Sequence, residues 1–427
     1  MTVSFITLGC KVNQYESVAL SELFAKKGFT PINDEKADIT VVNSCTVTAE
    51  SNRKTRQTVR KVRRSNPDAV IVLTGCMAQA FFDEAKEVKE ADIVVGNTDY
   101  ENLPDLCLEF LKAKKRICIH KEHISGEKIC PLTVSSFPER TRAYIKIEDG
   151  CDRFCSYCII PFAKGRVRSK SLELIKSEAE ALGKAGYKEV VLTGINLSAF
   201  GKDTGDELCD AVEVVCECSG IERVRLGSLE CDQITDEALK KLASLEKFCP
   251  QFHLSLQSGS DNTLKAMNRK YDTAFYRDFV GRIRKFFDNP SITTDIMVGF
   301  AGETDEDFRS SAAFVEEIGF ARSHVFVYSI RKGTVAAKRT DQVDPYIKQK
   351  RAKIMGDICA NLEKEFLKSQ IGKTCKVLFE TGENGYFEGY TENYTRVMVK
   401  TDKTLEGQIL PVKLLKAEND YCIAELI

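Results

Sequence analysis

The sequence predicts an α/β protein in three parts: an N-terminal open parallel α/β sheet, a central partial barrel of six βα units, and a small all-β barrel. Three observations predict it. Short apolar runs alternate with helical patterns over residues 1–110 and again over 143–330, the pattern of parallel strands covered by helices. A single long amphipathic stretch, Tyr346–Ser369, closes the second series. After Ile371 the period falls to two, in short runs separated by turn residues.

The first part spans residues 1–111. Strands are expected at Ser4–Leu8, Ile39–Val42, Val70–Leu73 and Ile93–Val95, with helices at Gln14–Lys27, Glu50–Ser65 and Ala78–Lys89. Three strands end in cysteine: Cys10, Cys45 and Cys76, each just before a helix. Open α/β sheets bind ligands outside the carboxyl ends of their strands. The three thiolates can therefore converge, and helix N-termini there favour their negative charge. Such a set makes a metal site with one open position; the alternative is three small buried hydrophobes. The helix after Cys45 carries Arg53, Arg56, Arg60, Arg63 and Arg64 on one face. Like charges on one face repel, and an RNA phosphate partner would offset that, whereas a solvated surface helix needs none.

Residues 112–138 read as a linker without clear periodicity. The second part, 139–369, has expected strands at Ala143–Ile147, Val190–Thr193, Arg223–Leu226, His253–Leu256, Thr293–Val298 and His324–Tyr328. Its site belongs at the strand C-termini. There, after the first strand, Cys151, Cys155 and Cys158 form a C-x3-C-x2-C pattern. Closely spaced thiolates are the usual ligands of iron–sulfur clusters, and three of them leave one iron open. Thr193, Gly194 and Asn196 follow the second strand; Ser255 and Gln257 follow the fourth. Lys164, Arg166, Arg168 and Lys170 make a second basic patch beside the cysteines. Arg223 and Arg225 lie in the third strand, where buried charge needs a partner. Either they lie outside the sheet or pair with acidic neighbours such as Glu222, or they line a substrate pocket with Asn196 and Ser198.

The third part, 370–427, has expected strands at Cys375–Phe379, Tyr386–Tyr390, Thr395–Lys400, Gly407–Pro411 and Tyr421–Leu426. Five short strands suggest an OB-like barrel, a common nucleic-acid scaffold.

Composition sets limits. The chain has 427 residues, 43% hydrophobic and 29% charged, with net charge −1. Polyanion binding by overall charge is excluded, so any RNA surface is a local patch. Seventeen cysteines without a secretory signal predict a reducing, cytoplasmic compartment and metal ligands in place of disulfides. No apolar run is long enough to span a bilayer.

The C-x3-C-x-aromatic-C motif, with Tyr157 as the aromatic, resembles the signature of the radical S-adenosylmethionine enzymes. The resemblance implies that Cys151, Cys155 and Cys158 hold a [4Fe-4S] cluster whose open iron chelates S-adenosylmethionine. It assigns Thr193, Gly194 and Asn196 to the methionine end of that molecule, and Glu230, Ser255 and Gln257 to the neighbourhood of its ribose. The whole chain resembles the methylthiotransferases, in which Cys10, Cys45 and Cys76 hold a second [4Fe-4S] cluster and the third part is a TRAM-like barrel. It is most similar to the branch acting on N6-threonylcarbamoyladenosine at position 37 of tRNA, through Thr7-Leu-Gly-Cys-Lys-Val-Asn-Gln-Tyr-Glu-Ser17, Gly194-Ile-Asn-Leu-Ser-Ala-Phe200 and Arg223-Val-Arg-Leu-Gly-Ser-Leu-Glu230. Cys231, Ala301, Ile330 and Lys332 stand where that family usually has proline. The implied partners are a tRNA anticodon stem-loop and a small flavodoxin- or ferredoxin-type electron donor. Sister branches act on isopentenyladenosine or on a ribosomal-protein aspartate, and a non-enzymatic iron–sulfur RNA-binding protein is the reading from a different class.

Overall fold

In the computed structural model, which describes residues 1–34, 36–137 and 140–427, the chain begins with a six-stranded parallel sheet. Its strands are β1 (Thr2–Thr7), β2 (Thr30–Pro31), β3 (Ile39–Ser44), β4 (Val70–Gly75), β5 (Ile93–Val95) and β6 (Ile117–Ile119), in the order β2-β1-β3-β4-β5-β6. Strands β3, β4 and β5 are buried along their whole length, as near-continuous apolar runs require when helices cover both faces. Three helices follow the cysteines: α1 (Lys11–Lys26), α2 (Ala49–Ser65) and α3 (Cys76–Ala80).

Two local expectations fail. The helix expected over Ala78–Lys89 is broken at Phe81, where φ −134° and ψ 51° leave the helical region, and a second short helix starts at Phe82. Residues 117–119, expected in an irregular linker, pair with β5 as β6. An edge strand of three residues carries too little pattern to stand out between helices. The boundary expected at 138/139 lies outside the described residues.

The central part is a parallel wall in chain order. After β7 (Arg142–Lys146), a small ribbon pairs β8 (Glu148–Asp149) with β9 (Arg168–Ser169). The wall continues with β10 (Glu189–Thr193), β11 (Arg223–Leu226), β12 (Ser228–Leu229), β13 (Gln251–Leu254), β14 (Ser291–Val298) and β15 (Arg322–Val327). At Gly227 the wall divides into a three-stranded sheet, β11-β10-β7, and a four-stranded sheet, β12-β13-β14-β15, and every pairing in both is parallel. Helices on its outer side bury Ile175, Ala179 and Leu182, then Tyr276, Phe279 and Ile283, against the strands. Ser171, Thr235, Ser260, Asp272 and Thr304 each cap a helix by accepting a backbone N–H.

Helix Pro345–Gln370 crosses the wall at β15 and delivers the chain to a closed barrel. Its strands are β16 (Thr374–Glu383), β17 (Tyr386–Thr391), β18 (Arg396–Lys400), β19 (Ile409–Ala417) and β20 (Cys422–Leu426), in the order β16-β17-β18-β20-β19. No helix among the described residues is long and apolar enough to cross a membrane.

Candidate active site

The C-terminal end of the central wall carries the C-x3-C-x2-C loop. Gly150, at φ +90°, starts it; a Cβ there would lie 1.9 Å from the Arg166 carbonyl oxygen, so only glycine lets the two backbones approach. The Cys151 N–H then donates to the Gly165 carbonyl at 3.0 Å. Burial pushes the Cys151 and Cys158 thiols up to about 12. Free thiols in such surroundings stay protonated, and a metal must ionise them. Donors already face the sulfurs: the Arg153 N–H lies 3.5 Å from Cys151 Sγ and Arg269 Nη1 3.5 Å from Cys155 Sγ. A donor set of three thiolates beside a guanidinium suits the negative charge of an iron–sulfur cluster. Among the described residues no group of three histidine, cysteine or carboxylate side chains closes on a single metal ion. A cluster takes its thiolates on different irons, so a set built for one stands wider than a single-ion site.

Polar loops line the same end. The Asn196 N–H donates to Glu148 Oε2 at 2.8 Å, and a Cβ on Gly194 would lie 2.5 Å from that oxygen. Glu148 Oε1 and Asn196 Oδ1 are buried without partners. Buried polar atoms without partners carry a cost and point to a missing polar ligand. Thr193 ends β10 and is buried; its carbonyl accepts the Ile147 N–H at 3.0 Å. Arg269 Nη2 donates to Glu230 Oε2 at 2.5 Å and to the Ser255 carbonyl at 2.8 Å, joining two of the expected residues. Gln257 adopts φ +70° while its backbone bridges to β14, a strained conformation for a non-glycine residue of the kind found at ligand sites. The Tyr157 ring meets Phe300 edge-on at 6.3 Å.

The other three cysteines sit at the switch point of the N-terminal sheet. Strand order reverses between β1 and β3, and Cys10 and Cys45 follow those two strands. Cys76 follows β4. Gly9, at φ +107°, lets the Cys10 loop close on Cys45: a Cβ there would lie 2.9 Å from Cys45 Sγ. Asn13 ties the set together. Its Nδ2 donates to the Leu8 and Ser44 carbonyls at 2.8 and 2.9 Å, and its Oδ1 lies 3.9 Å from both Cys10 Sγ and Cys76 Sγ.

Helices adjoining the two cysteine sets meet at one interface. Buried Glu16 of α1 accepts from Lys146 at 2.9 Å and from Lys164, six residues past Cys158, at 2.6 Å. Helix Ile160–Lys164 packs on α3, which Cys76 begins. Arg331 donates to Asn52 Oδ1 at 2.9 Å and to Thr46, the residue after Cys45. Lys164 and Lys170, expected in a basic patch, are buried instead and pair with Glu16 and Glu178, while Asn13, Glu16, Glu148 and Arg269 were missed by sequence reasoning. Only Asn13 carried a signal, three residues after Cys10 at the start of a helix.

The arginine expectations fare unevenly. Arg53 pairs with Glu50 at 2.5 Å, Arg56 with Glu84 at 3.6 Å and Arg60 with Glu90 at 3.2 Å, all partly exposed. Arg63 is instead structural: it bonds Asp92 at 2.6 Å and the carbonyls of Pro67, Ala69 and Glu90. Arg168 is buried and held by Glu127 and the Lys164 carbonyl, so it is no surface contact, while Arg166 is exposed. Arg223 and Arg225 do not line a pocket beside Asn196. They stand toward the N-terminal end of the wall, pair with Glu189, and donate to the carbonyls of Tyr390, Lys376, Glu392 and Thr391 in the barrel. Glu222 pairs elsewhere, with Lys188.

Comparison with known proteins agrees with this layout. A family described as "Uncharacterized protein family UPF0004" matches residues 2–96, and the "Radical SAM superfamily" matches residues 145–315. The chain is 38% identical to the threonylcarbamoyladenosine tRNA methylthiotransferase MtaB of Bacillus subtilis, over 98% of this chain and 95% of that one. It is 38% identical to the MtaB of Thermotoga maritima, over 100% and 98%. The tRNA-2-methylthio-N(6)-dimethylallyladenosine synthase of Rickettsia bellii is 34% identical, over 96% of each chain. Among solved structures, the radical S-adenosylmethionine methyltransferase TsrM of Kitasatospora setae superposes with a TM-score of 0.59 at 13% identity, over 79% of this chain and 74% of that one, a likeness of fold.

Proposed function

This chain belongs to the MtaB-type radical S-adenosylmethionine methylthiotransferases, and we propose from that membership that its two cysteine sets divide one reaction between them. The enzyme methylthiolates threonylcarbamoyladenosine in tRNA. Carbon C2 of that base, at position 37, is the reacting atom. The radical site is held by Cys151, Cys155 and Cys158, with a [4Fe-4S] cluster and S-adenosylmethionine. Cys10, Cys45 and Cys76 hold the second cluster. When bound, these groups supply a deoxyadenosyl radical at the first site and sulfur at the second.

The chain's own residues do the positioning. Tyr157 walls the cysteine loop. Thr193, Gly194 and Asn196 meet the amino-acid end of S-adenosylmethionine, where Glu148 Oε1 and Asn196 Oδ1 lack partners. Glu230, Ser255 and Gln257 surround its ribose, with Arg269 fixing the first two. Arg53, Arg56, Arg60 and Arg166 contact tRNA phosphate. A small flavodoxin- or ferredoxin-type protein delivers electrons, and the work is done in the cytoplasm.

One observation carries this reading: the Cys151–Cys158 loop leads into helix Ile160–Lys164, which packs on α3, the helix that Cys76 begins, and pairs Lys164 with Glu16 of α1. A substrate carbon held there meets both sites without leaving the protein, as positioning of reactants requires. Anaerobic turnover of two anticodon stem-loops tests it, one bearing threonylcarbamoyladenosine and one isopentenyladenosine. Methylthiolation of the first is expected; methylthiolation of only the second overturns the substrate.

A further inference from the structure

Two phenylalanines beside the Cys151–Cys158 loop are exposed. Phe154, inside the cysteine loop, is 38% exposed, and Phe162, on the helix after it, is 56% exposed. Their rings meet edge to face at 6.1 Å. The Arg166 guanidinium lies 4.8 Å from the centre of the Phe154 ring while bonding Asp152 at 3.1 Å. Phe154 is held at φ +49°, a conformation a bulky residue adopts only where its surroundings impose it. The Asn268 side-chain amide donates to the Phe154 carbonyl at 2.9 Å and fixes that backbone from another loop.

Exposing two aromatic rings costs hydration free energy and packs no core. What an exposed ring beside an arginine does well is stack an unpaired nucleobase. Every base has a π-face, and the guanidinium meets the adjoining phosphate or stacks in turn. We propose that Phe154, Phe162 and Arg166 form a stacking platform for an unpaired loop base of the RNA substrate, next to the adenosine being modified. This inference rests on the proposed function and extends it to a site for a neighbouring base.

Placement favours RNA over a protein electron donor. Phe162 lies on helix Ile160–Lys164, which joins the two cysteine sites by packing on α3 and pairing Lys164 with Glu16. The substrate must reach both sites, whereas an electron donor need reach only a cluster. A base stacked on Phe162 keeps an anticodon loop open at that junction.

The test is binding and turnover of a threonylcarbamoyl stem-loop carrying 2-aminopurine beside the modified adenosine. Wild-type enzyme should change its fluorescence on binding. Phe162→Ala should abolish that change and weaken RNA binding by roughly five- to 150-fold, the range for loss of one stacked base. Phe162→Tyr should restore both, and Phe162→Leu should not. Reductive cleavage of S-adenosylmethionine with a chemical reductant and no RNA should stay at the wild-type rate in all three, which shows that they fold. RNA affinity within twofold of wild type for Phe162→Ala overturns the platform. If affinity holds and only turnover driven by a protein reductant falls, the patch serves the electron donor and the proposal is wrong. A wild-type enzyme that ignores the stem-loop instead refutes the substrate assignment, so the two failures are distinct.

Discussion

At the N-terminal end of the central wall, Glu189 meets Arg223 and Arg225, and both arginines donate onward to carbonyls of the barrel. At the C-terminal end, Glu148 and Asn196 each leave a buried oxygen without a partner, and Phe154 and Gln257 hold left-handed backbone. The ends share strands and burial but not purpose. Charge at the first end is fully paired and fixes one module to another. Polar groups at the second end are left incomplete, as a ligand site requires. Buried charge alone does not mark function; unpartnered oxygens that coincide with left-handed backbone beside the cysteine loop do.

The largest effect should come from emptying the C-terminal end. Replacing Cys151, Cys155 and Cys158 with alanine should abolish deoxyadenosine formation. Replacing Cys10, Cys45 and Cys76 should lower iron to about half, if each set holds one cluster, and leave deoxyadenosine formation intact while ending methylthiolation. Methylthiolated RNA from the second triple variant would refute the division of labour.

The opposite end should respond in stability. Glu189→Ala leaves Arg225 and Arg223 buried without their carboxylate, a loss of about 3–5 kcal/mol. Denaturant unfolding should show it, with faster proteolysis around residue 371 as the barrel loosens. Deoxyadenosine formation per folded molecule should be unchanged. If that rate fell in step with stability, the ends would not be independent.

The contrast also shows what the sequence could reveal. All six cysteines, their positions after strands and the five barrel strands are read from local pattern, because spacing, period and turn residues are local. Arg223 and Arg225 left pairing and pocket lining both open, and pairing holds, but with Glu189 and the carbonyls of Lys376, Tyr390, Thr391 and Glu392, which are non-local. Charge on a strand predicts a partner but not which end of the strand it faces. Arg63 and Arg168 misled: helical spacing gives the face of an arginine, and only packing shows that Asp92 or Glu127 already holds it. Edge strands β2 and β6, of two and three residues, are too short to carry a period.

A smaller effect is expected at Asn13, whose amide holds the loops of Cys10 and Cys45 together through two carbonyls. Asn13→Ala leaves both carbonyls unmet, at about 1–3 kcal/mol for a buried group. If Cys10, Cys45 and Cys76 hold a cluster, absorbance of the reconstituted protein should show its loss before that of the Cys151–Cys158 cluster on exposure to a chelator. Equal loss from both would remove Asn13 from the positioning role.

The last effect grows with pH and sharpens the C-terminal end itself. Burial holds the Glu148 carboxyl well above its ordinary value; the Asn196 and Ile195 N–H groups and Lys146 oppose this, and Asp149 reinforces it. The folded protein therefore keeps Glu148 protonated where the unfolded chain has released the proton. A raised carboxyl contributes stability that is fully present below the unfolded value, about 4.3, and is lost as pH rises toward the folded one. Glu148→Gln imitates the protonated form, accepts the same N–H, and has no proton to lose. The variant should match wild type near pH 4.5 and become progressively more stable than it as pH rises, in denaturant titrations at several values between pH 5 and 8. A constant difference across that range would mean that Glu148 is ionised in the folded protein. The unpartnered Oε1 would then be the oxygen of a carboxylate awaiting a cation, not of an acid able to donate a hydrogen bond.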